Sequence, residues 1–117
     1  MKILCTICVR GGSTSVKNKN IKLINNKPLV YYTIAQAKKS GIFENIVVST
    51  DSMKIQNITS KYGIKNFFLR PKNLSTSKSP KIPVIRHSLK QAEKFYKKKY
   101  DVIIDLDATS PLRLVKD

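Results

Sequence analysis

The chain has 117 residues, 41% of them hydrophobic, and a formal net charge of +16. That length suits one domain with a single core and is small for an enzyme that must enclose two substrates. No run of about eighteen apolar residues occurs, and the N-terminus lacks the long apolar stretch and small-residue cleavage site of a signal peptide; the expectation is a cytoplasmic chain without membrane contact. The charge alone does not point to nucleic acid. Only four of the 23 basic residues are arginine, and the lysines are scattered among abundant Ile and Asn, a compositional bias rather than a clustered basic face.

The first predicted element is a buried strand over Lys2–Val9, "KILCTICV", rich in β-branched residues. It contains Cys5 and Cys8 as a CxxC. In a strand, residues three apart point to opposite faces about 10 Å apart, beyond disulfide or shared-metal reach, so the pair reads as two small buried hydrophobes. A Gly-rich loop, "RGGSTSVKNKN", follows. The segment "KPLVYYTIAQAKKSG" predicts a helix, with Pro28 in its first turn, lysines in its last and Gly41 as the stop.

"NIVVST" predicts a second short strand. Asp51 is the expected N-cap of a helix that presents Ile55, Ile58 and Tyr62 on one face and stops at Gly63. "IKNFFLR" predicts a third strand, and "PKNLSTSKSPK" a polar surface loop. The next helix shows the clearest period, with Ile82, Ile85, Leu89, Ala92 and Tyr96 at spacings of three and four; "KKK" at Lys97–Lys99 reads as its solvated end. His87 on this helix is expected to be a partly buried structural residue. "YDVIIDLD" predicts the last strand, with Val102, Ile104 and Leu106 on one face and Ile103, Asp105 and Asp107 on the other.

Strict alternation of strands and helices implies an α/β fold with a mainly parallel sheet covered on both faces. Such sheets bind ligands beyond the carboxyl ends of their strands. Arg10 follows the first predicted strand, Arg70 closes the third and Arg113 lies just past the last, which points to an anionic ligand at that edge, since a planar guanidinium suits phosphate or carboxylate. The glycine loop fits neither GxGxxG nor GxxxxGK[ST]. Its chemistry still suits phosphate: Gly11 and Gly12 permit close backbone approach, Ser13 and Thr14 offer hydroxyls, and Arg10, Lys17 and Lys19 supply charge. A tight turn with solvated lysines accounts for the same residues.

The loop also resembles the RGGSKGxxxKN signature of the acylneuraminate (CMP-sialic acid) cytidylyltransferases. Further matches follow in order: "NKPLVYYTI", "FENIVVSTD", "KYG", "FLRPKNLS" and "TSPLR". Within the family, "DLDATSPLR" and "SPKIPV" look most like the branch that activates legionaminic-type nonulosonic acids. Two positions depart from the signature: Thr14 and Ser15 stand where the family has Lys-Gly, which removes one cation and one flexible position.

The resemblance implies a Rossmann-like, three-layer nucleotide-diphospho-sugar transferase fold, incomplete at the C-terminus. Residues 1–117 would be its N-terminal, nucleotide-binding part. It implies CTP and a nine-carbon α-keto acid sugar as substrates, a CMP-sugar and pyrophosphate as products, no nucleic acid or membrane partner, and a homodimer formed through the family's second half. Arg10 and Lys19 would serve catalysis. Arg10, Gly11, Gly12, Ser13, Asn20, Arg70, Ser79 and Lys81 would bind the nucleotide, and Asp107 the sugar. Mg2+ is implied, with its ligands in the second half and none here. Asp105 and Asp107, two carboxylates on one strand face, remain an alternative metal pair. A non-catalytic nucleotide-binding remnant, or a CMP-Kdo synthetase-like transferase, also stays open.

Overall fold

The computed structural model describes residues 1–10, 23–24, 27–76 and 78–107. Three parallel strands form its sheet: β1 (Ile3–Cys8), β4 (Asn45–Ser49) and β5 (Val102–Leu106), in the order β4-β1-β5. A small antiparallel pair, β2 (Leu23–Ile24) and β3 (Lys27–Pro28), lies between β1 and the first helix and has no counterpart among the predicted elements. Two-residue strands are too short to leave a period in the sequence.

Helix α1 (Leu29–Ser40) begins after Pro28, whose fixed φ of −69° suits that position, and ends at Gly41, whose φ of 69° is left-handed. Helix α2 (Met53–Ser60) is capped by Ser52, whose hydroxyl accepts from the Ile55 amide at 3.2 Å. The expected cap, Asp51, lies one residue too early for that geometry. The helix also ends three residues before Gly63. Helix α3 (Lys81–Tyr96) is the longest element, and its C-cap, Lys97, adopts a left-handed φ of 55°.

The register fixes which side chains share a face. Cys5, Ile46 and Ile104 lie in one row, and Ile7, Val48 and Leu106 in the next. This face meets α1 and α2 through Val30, Ile34, Ala37 and Ile55 in an apolar core. The opposite face carries Leu4, Val47 and Ile103 and packs on α3 through Ala92, Leu89 and Tyr96. The two cysteines lie on opposite faces and are free thiols.

Two expectations are corrected here. "IKNFFLR" is not a strand of the sheet. Ile64 enters the α1/α2 core while Phe67 and Phe68 pack on the α3 side. The segment is joined to the end of β4 by the Arg70 amide, which donates to the Thr50 carbonyl at 2.8 Å. The buried face of α3 is also rotated from the predicted one: Val84, Ser88 and Ala92 are buried, whereas Ile82 is 62% exposed. The small residues Ser88 and Ala92 let the helix approach the sheet, and the Ser88 hydroxyl is satisfied by the Val84 carbonyl at 3.1 Å.

Candidate functional site

Because β1 is the central strand and its neighbours lie on either side, the chain changes direction across the sheet at the C-terminal end of β1. That is where parallel sheets open a crevice for ligands. A cleft of about 200 Å³ lies there, lined by Cys8, Arg10, Arg70, Thr76, Ser79, Lys81 and Val84. A hollow of about 250 Å³ at the other end of the sheet is larger, but its Lys38 is spent on the Tyr62 carbonyl and no group of cations converges there. A hollow of about 390 Å³ beside the C-terminal end of α3 gathers five lysines, Lys90, Lys94, Lys97, Lys98 and Lys99, but it lies away from the carboxyl ends of the strands, so position on the sheet, not volume or charge alone, selects the smaller cleft.

Arg70 is the buried cation of this cleft, only 6% exposed. Its Nη2 donates to the Ser49 carbonyl at 2.7 Å and its Nε to the Ser49 hydroxyl at 3.0 Å, with Nη1 directed at the Leu74 carbonyl at 3.4 Å. All three partners are neutral, and among the described residues no carboxylate pairs with it. Burial pulls its pKa below the usual arginine value, although nearby negative groups oppose this. A buried guanidinium held by neutral acceptors favours an anion in front of it.

Asp105 is the acidic counterpart. Its Oδ1 accepts from the Thr6 hydroxyl at 2.7 Å and lies 3.4 Å from the Cys8 thiol, while its Oδ2 pairs with Lys81 Nζ at 2.8 Å. For Lys81, partial burial works against the charge, but the hydrogen bond and charge of Asp105 outweigh it and raise its pKa. Burial, then the charge of Asp105, pushes the Cys8 thiol up to about 12, which keeps it neutral. His87 sits edge-on to Phe68, with ring centroids 5.5 Å apart. Burial, then Arg70, lowers its pKa and disfavours the charged form.

Of the residues singled out from the sequence, Arg10, Arg70, Ser79 and Lys81 converge on the cleft. The Ser79 hydroxyl also closes the loop before α3, accepting from the Thr76 amide at 3.0 Å. Asp107 lies exposed just past β5. Gly11, Gly12, Ser13, Lys19, Asn20 and Arg113 lie outside the described residues. Thr6 and Cys8 enter the site without having been assigned a role in it, and Asp105, set out as half of an alternative metal pair, enters it as the partner of Thr6 and Lys81. Among the described residues no three His, Cys, Asp or Glu side chains cluster to hold a metal ion. Asp105 is engaged at both oxygens, by Thr6 and by Lys81.

The structure is a parallel α/β layer with a cationic cleft beyond its central strand, chemistry that suits an anionic ligand. More particularly, the chain belongs to the Cytidylyltransferase family, whose match covers residues 4–116. It is 50% identical over 116 residues to a post-translational flagellin modification protein B of Campylobacter coli, covering 99% of this chain and 49% of that protein. It is 47% identical over 110 residues to a CMP-N,N'-diacetyllegionaminic acid synthase of Campylobacter jejuni, covering 94% of this chain and 47% of the relative. The chain thus spans about half the length of these curated relatives. Its fold is similar to that of a CMP:2-keto-3-deoxy-manno-octonic acid synthetase solved with CTP, with a TM-score of 0.72 at 20% identity over 95% of this chain and 42% of that one. Among the described residues, no helix is long and apolar enough to cross a membrane.

Proposed function

We propose that residues 1–117 form the N-terminal, nucleotide-binding part of a cytoplasmic cytidylyltransferase that activates a nonulosonic acid of the legionaminic type with CTP, giving the CMP-sugar and pyrophosphate. The observation that carries this reading is the buried Arg70, which among the described residues forms no ion pair with a carboxylate, in the lining of a cleft that it shares with Arg10 and Lys81. The legionaminic branch is favoured by the 47% identity to a synthase of that sugar, which extends over nearly the whole chain.

In such a reaction the sugar's anomeric hydroxyl attacks the α-phosphate in line, and catalysis rests on positioning and charge neutralisation. In this reading Arg10, Arg70 and Lys81 offset nucleotide charge, with Lys19, Asn20, Ser13 and the two glycines of the loop assigned by resemblance to the same nucleotide. Asp107 is assigned to the sugar side. A magnesium ion would neutralise phosphate charge; the family resemblance puts its ligands, and the dimer contacts, in the part of the family domain that this chain does not span.

Titration of CTP and of duplex DNA at near-physiological salt tests the reading. Saturable CTP binding with weak DNA binding is expected. Tight, steeply salt-dependent DNA binding with no response to CTP would contradict it.

A further inference from the structure

Helix α3 begins with a cation where the physics prefers an anion. Lys81 is its first residue, no acidic residue lies in its first turn, and its N-cap, Pro80, offers no side-chain cap. The missing negative charge comes from another element. Asp105 on β5 lies directly across the register from Thr6 on β1 and binds Thr6 with one oxygen and Lys81 with the other. Thr6 is fully buried, so the carboxylate is anchored from below and has one oxygen left to aim the ammonium.

We propose that Asp105 is a positioning residue: it holds the Lys81 ammonium at the cleft wall beside Arg10 and Arg70, and so supports nucleotide binding without touching the nucleotide. The inference rests on the nucleotide reading of the cleft. Without Asp105, the half-exposed Lys81 side chain is free to turn to solvent, and its charge is repelled by the helix N-terminus.

Two readouts on the 117-residue chain test this. The first is acylation of Lys81 by an N-hydroxysuccinimide ester, followed by peptide mass spectrometry with Lys78 as the internal reference. Asp105→Asn, which keeps the side-chain shape, should raise Lys81 labelling relative to Lys78; unchanged labelling would show that the pair does not form in solution. The second is a double-mutant cycle read by CTP affinity. Asp105→Asn should weaken binding on the order of tenfold when Lys81 is present, a typical coupling for contacting residues, and should have no effect in Lys81→Met.

Equal weakening in both backgrounds would make Asp105 merely structural, and tighter binding in Asp105→Asn would mean that its charge only opposes the ligand. Either result overturns the proposal. If Asp105→Asn does not fold, Asp105→Glu replaces it, with a smaller loss that must again vanish in Lys81→Met. Absence of CTP binding by the unmutated chain is a separate failure. It removes the nucleotide reading, and the role of Lys81 with it, whatever the labelling shows.

Discussion

The two faces of the sheet are made by alternate residues of the same strands, yet they are built for different ends. Toward α1 and α2, β1 presents Cys5 and Ile7, with Val9 just beyond, beside Ile46, Val48, Ile104 and Leu106, and this face stays apolar from one end to the other. Toward α3, the rows run from Leu4, Asn45 and Ile103 through Thr6, Val47 and Asp105 to Cys8 and Ser49, so β1 and β5 turn from apolar to polar as they run toward their C-termini. Buried polar groups cost stability unless satisfied, so a polar gradient inside a parallel sheet marks the end that serves a ligand. Here every step of the gradient has a partner: Asp105 answers Thr6, and Arg70 answers Ser49.

The largest expected effect breaks the apolar face. Ile7→Ala removes a fully buried side chain and should cost about 2–5 kcal/mol in denaturant unfolding. If the faces serve separate ends, any nucleotide affinity that survives should match the unmutated chain wherever the protein remains folded.

The cysteines sharpen the comparison from both sides. Burial, reinforced by the charge of Asp105, pushes each thiol from 9.0 up to about 12. Three units correspond to roughly a thousandfold less thiolate, so iodoacetamide should label both cysteines slowly at pH 8 and quickly after unfolding. Because the folded-state values are raised, this contribution to stability is complete below the usual thiol range and is lost as pH rises from 9.0 toward about 12. Melting temperature should therefore fall over that interval, and Cys5→Ala with Cys8→Ala should flatten the decline.

The smallest effect lies away from the cleft. Ser52→Ala deletes the hydroxyl that caps α2 and should cost about 1 kcal/mol in unfolding while leaving CTP affinity unchanged.

Much of the scaffold was legible because local chemistry sets it. Pro28 and Gly41 bound α1, and β-branched runs mark β1 and β4. The third predicted strand failed because an aromatic, extended segment satisfies the same pattern when its side chains fill gaps on both sides of a sheet without joining its ladder. The face of α3 was misjudged because the packing residues are the small Ser88 and Ala92, while the more apolar Ile82 is exposed in the first turn, next to the cleft-lining Lys81. Within the site, arginines at predicted strand ends drew attention to Arg10 and Arg70, although the segment that Arg70 closes is not a strand and reaches the cleft through its bond to Thr50. The partners that hold the cleft together were hidden: Thr6 and Asp105 are 99 residues apart, and Ser49 and Arg70 are 21 apart. No local period reports such pairs.

The most direct test of the two-face account is a residue-resolved map of CTP binding by amide chemical shifts in the 117-residue chain. The account predicts perturbations concentrated at Cys8, Arg10, Arg70, Ser79 and Lys81, with little change at Val48, Ile55 or the lysines from Lys94 to Lys99. Perturbations centred on those lysines, with the cleft residues silent, would show that the charge acts as a diffuse field and would contradict the assignment of the polar strand ends as the site.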